Sequence, residues 1–276
     1  MPSKTCASCN HVVDYNYCAN CGEKILTPEL RSVGHIAGDA LENLTSYDGK
    51  IWRTLITLFV KPGQLDRNYH IGQRVNYLKP ISLFFIINVL FVMFSPLTDF
   101  YVAFRDQMQL QPYSDWLKPY MLEVIANKGY EIGDFEEKYN QLVVVLARSL
   151  IILQVPFFAI FSFIVLFSRK HYLSDYLIFS LNAHSWWMIW IIVAQVPAWF
   201  IGNGLSLICA NLSVSYFYFL LLPIGKFIYL SLAIKTLFKF SWLRVLLSVP
   251  IMMGLYIVAH YIFRFLQLFI TYSLIE

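Results

Sequence analysis

The sequence predicts an all-α polytopic membrane protein with about five transmembrane helices and a small N-terminal zinc ribbon. Three observations carry this expectation. Apolar residues make up 58% of the 276-residue chain and charged residues only 14%. A soluble globular chain carries about 25% charged residues, so this one has too little charge to cover a water-facing surface. The charges are also segregated: residues 80–98 hold none, and residues 141–276 hold only ten. Finally, four cysteines near the N-terminus fall into two Cys-x-x-Cys pairs. The composition excludes a secreted disulfide scaffold, a disordered chain and a soluble nucleic-acid binder. The net charge of +4 comes from residues bordering apolar segments, not from a basic stripe.

Residues 1–26 read as the ribbon. Cys6, Cys9, Cys18 and Cys21 supply four thiolates, a closed tetrahedral set suited to structural zinc. Each pair turns tightly around the ion, so the residue after the second cysteine needs a left-handed backbone. Asn10 and Gly22 stand there, and both tolerate it. A module this small cannot bury a sufficient core, so the metal supplies its folding energy. Disulfides do not suit a segment expected in reducing cytosol. A thioredoxin-like site needs a single pair in a βαβ frame, and four cysteines leave no open position for catalytic zinc. His11 reads as an exposed turn residue.

Residues 27–79 are too polar to span a bilayer. Ile36, Ala40 and Leu44 recur at helical spacing. A second helix is expected over Ile51–Val60, with Asp48 as its N-cap and Pro62-Gly63 as its stop. Ten residues reach about 15 Å, half a bilayer, so this helix lies at the interface or packs beneath the spans.

The run Asp48-Gly49-Lys50-Ile51-Trp52-Arg53-Thr54-Leu55, then Lys61-Pro62-Gly63, then Gly72-Gln73-Arg74-Val75-Asn76-Tyr77-Leu78-Lys79-Pro80, resembles a bacterial integral membrane family catalogued as domain of unknown function 3667. The segment from His171 and Tyr172 through Asp175 to His184 resembles that family's second block. The resemblance implies a zinc-ribbon membrane protein and brings no activity with it.

Residues 80–276 read as the transmembrane domain, with spans at ~80–98, ~145–168, ~176–200, ~213–234 and ~245–270 and an outer loop at 99–140. The apolar runs are continuous, which fits helices rather than barrel strands. Lys61, Arg67, Arg74 and Lys79, then Arg169 and Lys170, then Lys235, Lys239 and Arg244, fall on one side. That pattern places the N-terminus in the cytoplasm, the C-terminus outside and the protein in the cell (inner) membrane. No secretory signal precedes the first span. Pro156, Pro197, Pro223 and Pro250 are candidate kinks.

Polar residues inside spans are functional candidates. Asn88, His184 and Lys226 each lie nine residues from a basic or acidic flank, at Lys79, Asp175 and Lys235. At ~1.5 Å per residue all three sit near the midplane, as a candidate intramembrane polar cluster. Pro223 and Gly225 predict an interrupted helix whose carbonyls hold the Lys226 ammonium. Arg148 and Arg264 are expected to snorkel to headgroups. Asp134, Glu136 and Glu137 read as a solvated patch, and Cys209 as a packing residue.

No Walker loop, Gly-x-Ser-x-Gly or His-Glu-x-x-His is present, so no catalytic residue is assigned and the expectation is a non-enzyme. The expected function is a scaffold or regulatory docking platform, with the bilayer and a cytosolic protein as partners. One alternative is a small transporter or channel subunit, a homo-oligomer using Asn88, His184 and Lys226. A second is a membrane-embedded lipid-modifying enzyme with His184 as base.

Overall fold

A computed structural model describes residues 4–13, 16–23, 49–94, 101–206 and 214–275. The expected helix around Ile36, Ala40 and Leu44, the cap at Asp48, and Cys209 lie outside the described residues, as do the side chain of Arg148 and residue 276. Among the described residues the protein is all-α apart from one small hairpin, β1 (Lys4–Thr5) and β2 (Val12–Val13), paired antiparallel with Lys4 opposite Val13.

The next two helices form a corner. Helix α1 (Lys50–Val60) stops where expected, at Lys61 and Pro62, and Gly63 turns the chain with φ 76° into α2 (Gln64–Ile71). No side chain other than glycine fits that turn: a Cβ on Gly63 would stand 2.7 Å from the Cα of Ala233. Helix α2 ends on a second left-handed glycine, Gly72 (φ 94°), whose N–H bonds Tyr69 O.

All five apolar segments are helical, and they differ in length. Helix α3 (Pro80–Met93) opens with proline at its first position and has 14 residues, about 21 Å. It is shorter than a bilayer within the described residues, which end at Phe94 before a gap. The region expected to be an outer loop is built from α4 (Phe104–Gln107), α5 (Ser114–Asn127) and the start of α6 (Ile132–Ser149). These surround a separate core of Phe104, Leu117, Met121, Phe135 and Tyr139, closed by Leu268 of the last helix. The second expected span is broken. Helix α6 passes through a 3-10 turn at Leu150–Leu153 into α7 (Gln154–Val165), with a 68° bend between the two helical stretches. Pro156 causes the break. It has no N–H for the carbonyl four residues back, at Ile152, and its ring crowds that carbonyl.

Among the described residues three helical runs are long and apolar enough to cross a membrane outright: Leu173–Ile201, Phe217–Phe238 and Trp242–Ser273. The bent pair makes up to four. The first run comprises α8 (Leu173–Val193) and α9 (Gln195–Ser206), separated at Ala194 just ahead of Pro197. The other two are α10 (Val214–Phe238) and α11 (Trp242–Ser273), which run on through Pro223 and Pro250. Helix α8 is the centre of the bundle. In the first run 67% of the most apolar window is buried, against 28% and 33% for the other two. Helices α3, α7, α9, α10 and α2 all pack on α8. Its start is pinned by Asp175, whose side chain accepts the backbone N–H of Tyr172 at 2.9 Å.

Candidate functional site

The four cysteines converge. Their sulfurs all lie within 4.8 Å of one another, with Cys6 Sγ 3.6 Å from Cys21 Sγ and Cys9 Sγ 3.5 Å from Cys18 Sγ. These spacings match the edges of a tetrahedron about one ion with metal–sulfur bonds of about 2.3 Å. The chain builds the site from two equivalent turns. The N–H of Asn10 bonds Cys6 O and that of Gly22 bonds Cys18 O. Both turn residues are left-handed, at φ 58° and 74°. The His11 backbone amide directed at Cys9 favours the thiolate form of that side chain. His11 itself is exposed and outside the sulfur cluster. The donor set fits a closed metal centre, with structural rather than catalytic chemistry.

The module is fastened to the membrane domain by Glu23, two residues after the last cysteine. Its buried carboxylate accepts the backbone N–H groups of Arg74 and Val75 at 3.1 and 3.3 Å, and the Ser8 hydroxyl at 2.6 Å. In return Gln73 Nε2 donates to Ala7 O at 2.7 Å. Residues 72–78 are in turn tied to α1, because Leu78 N–H donates to Thr54 Oγ1 at 2.9 Å.

Below this turn α2 meets α8 through a polar seam that sequence reasoning did not single out. Asn182 Nδ2 donates to Asp66 Oδ1 at 2.8 Å, and His70 Nδ1 lies 2.9 Å from Asp175 Oδ2. The His70 ring stacks on His171 at 4.5 Å. Asp66 is 3% exposed, and burial raises its carboxyl to about 7, with the Asn182 bond opposing the shift. Asn182 Oδ1, which has no partner among the described residues, borders a small cavity beside Tyr69, Arg74, Tyr77 and Pro80. The signal was present in sequence only as polar letters inside two separate blocks, and nothing in either says that they pair.

Asn88, His184 and Lys226 are brought together in part. Lys226 and His184 share one aromatic ring: Lys226 Nζ lies 2.7 Å from the centroid of Tyr256 and 4.1 Å from that of Trp187. The His184 ring centroid is 5.3 Å from that of Tyr256. His184 Nδ1 lies 2.8 Å from Ser180 O, so Nδ1 carries the proton, and Nε2 is buried without a partner among the described residues. Asn88 reaches the same face of α8 one turn further on, donating to Met188 Sδ at 3.7 Å.

Two expectations fail here. Helix α10 is not interrupted at Pro223, so the Lys226 ammonium rests on ring faces rather than on freed carbonyls. Gly225 serves packing instead, since a Cβ there would run into the Trp190 ring. Arg264 does not snorkel outward. It is 4% exposed, and its Nε donates to His260 Nε2 at 3.2 Å and its Nη1 to Gln267 Oε1 at 3.0 Å. The apolar lobe of α4–α6 covers that end of α11, so the route to headgroups is closed and inward hydrogen bonds replace it.

Arg264 also fixes the His260 tautomer. Its donation leaves Nε2 unprotonated, so Nδ1 carries the hydrogen and faces the Gln154 side chain 2.6 Å away. The Gln154 amide must then present its oxygen to His260. Tyr256, His260, Arg264, Gln267 and Thr271 thus form one buried-to-half-buried polar stripe along α11.

Residues 48–92 match the profile of a family described as "Protein of unknown function (DUF3667)". The match contains α1, α2, the turn that receives Glu23, and nearly all of α3. No curated protein and no solved structure shows significant similarity to the chain.

Proposed function

We propose that this is a membrane-embedded binding protein rather than an enzyme, in which a zinc-holding ribbon on the cytoplasmic side of the inner membrane serves as a regulatory docking platform. The observation that carries the reading is the Glu23 clamp. It fixes the ribbon to the 74–75 backbone, while Val12 and Tyr17 of the same module are 53% and 57% exposed. An exposed valine and tyrosine on a ribbon held by a metal offer a small anchor surface for a soluble protein partner. Zinc suits a closed set of four thiolates on a chain segment that works in a reducing compartment.

The test combines metal analysis with site-specific photo-crosslinking in native membranes. One zinc per chain is expected, lost in Cys18→Ser. A crosslinker at position 12 or 17 is expected to give one discrete protein adduct, which disappears in Cys18→Ser and weakens in Glu23→Ala. Adducts to lipid or to the protein itself alone would refute the platform.

A second reading, a small oligomeric conduit, is favoured by one specific observation. Lys226 and His184 meet on Tyr256, at the head of the polar stripe on α11. In this reading reconstituted protein passes small ions and Lys226→Met blocks the flux. Sealed liposomes in either case would remove the reading.

A further inference from the structure

We propose that the outward face of α1 is a binding surface for anionic lipid, and that its occupant is the headgroup–acyl boundary of the bilayer the bundle spans. The face is apolar in a regular row: Trp52, Ile56 and Val60, spaced i, i+4, i+8, are 71%, 59% and 70% exposed. The opposite face is committed to the protein through Thr54, Thr57 and Leu58. Cations surround the row. Arg53 lies exposed on the same face, Lys61 is exposed at the end, and Lys50 stands half-buried at the start. Lys50–Val60 contains no acid.

Position selects the occupant. Gly63 packs on the backbone of Ala233, which places the α1–α2 corner at the end of α10 that carries Lys235 and Lys239. His70 places the same corner at the start of α8, just after Arg169 and Lys170. All these residues mark the basic end of the bundle, where a membrane surface begins. An 11-residue helix reaches about 16 Å, so it lies along that surface and does not cross it. A row of Trp, Ile and Val edged by Arg and Lys, at the basic end of the bundle, is the chemistry of an interfacial anchor on acidic headgroups.

The anchor is linked to the ribbon by two polar contacts. Thr54, on the back of α1, receives the N–H of Leu78, and the 72–78 turn delivers the Arg74 and Val75 amides to Glu23. Lipid that steadies α1 therefore steadies the seat of the metal module. The inference does not depend on what the ribbon itself recruits.

The test uses full-length, metal-loaded protein in nanodiscs of phosphatidylcholine alone or with phosphatidylglycerol. Quenching by bromine-labelled acyl chains is compared between the wild type and Trp52→Phe, so that the difference reports Trp52 itself. Hydrogen exchange of residues 50–60 is read in both discs. We expect Trp52 to be quenched by lipid bromines, and exchange to slow on the order of ten-fold when phosphatidylglycerol is present. That slowing should disappear in Arg53→Gln/Lys61→Gln. Trp52 reached by aqueous iodide but not by lipid bromine would overturn the proposal. So would exchange rates equal in the two discs, or protection that appears only when a soluble protein is added.

Discussion

Buried acids and buried cations occupy different halves of this molecule. Among the described residues the buried carboxylates are Glu23, Asp66 and Asp175, all at the end where the ribbon, α2 and the start of α8 meet. The buried cations are Lys226 and Arg264, on α10 and α11 within the bundle. The acids are held by backbone amides, an asparagine and a histidine. The cations are held by ring faces, a glutamine and a histidine. The acidic seam therefore fastens separate chain segments to each other, 51 to 116 residues apart in sequence. The basic interior instead buries its side chains against rings and neutral polar groups within the bundle. A fastening and a charged interior call for different tests.

The largest effect is expected from breaking the fastening at its tightest point. Gly63→Ala combines a left-handed backbone with overlap onto the Ala233 backbone, and should cost about 4 kcal/mol or more. Limited proteolysis would show the α1–α2 corner released while α8–α11 stay protected. A fully protected corner would mean that α10 yields to the methyl group.

The acid seam also makes a pH prediction. The folded Asp66 carboxyl, at about 7, holds its proton more tightly than the unfolded chain, at 3.8. Its contribution to stability is full below pH ~4 and is lost as pH rises through ~7, on the order of 3 kcal/mol across the window. Melting curves in detergent should therefore fall over this range in the wild type and flatten in Asp66→Asn, which keeps an acceptor for Asn182. Parallel curves for the two proteins would contradict the burial argument.

The smallest effect tests the interior. Lys226→Met removes a buried cation but also its two ring contacts, and a net gain of about 1 kcal/mol is expected. A higher melting temperature would show that the lysine is kept at a cost. A clear loss of stability would make the ring cage structural.

Much of the architecture was legible in the sequence, for reasons that particular residues make plain. The five apolar segments announce themselves by continuous hydropathy, and the four thiolates by spacing alone. Asn10, Gly22 and Gly63 mark backbone conformations that other residues resist. The length of the spans was less legible. Pro156 and Pro197 stand in the first turn after a helix break while α10 and α11 run on through Pro223 and Pro250, and no local pattern in the sequence separates the two cases. Depth counting grouped Asn88, His184 and Lys226; Lys226 and His184 both contact Tyr256, while Asn88 bonds Met188 instead. The direction of Arg264 was not legible, because depth says nothing about a lobe that covers one end of the bundle. The Asp66–Asn182 and His70–Asp175 pairs join residues more than a hundred positions apart, so a single chain read in order gives no warning of them.

Glu23 grips main-chain amides at positions 74 and 75, not side chains. Substituting the arginine or the valine there with any residue that keeps its N–H leaves the latch intact. Proline at either position, or one extra residue inserted in the turn, would remove a donor or misalign the pair. Homologues should accordingly show free exchange of residue type at these two places, coupled to strict loop length and to an acid following the fourth ribbon cysteine by two.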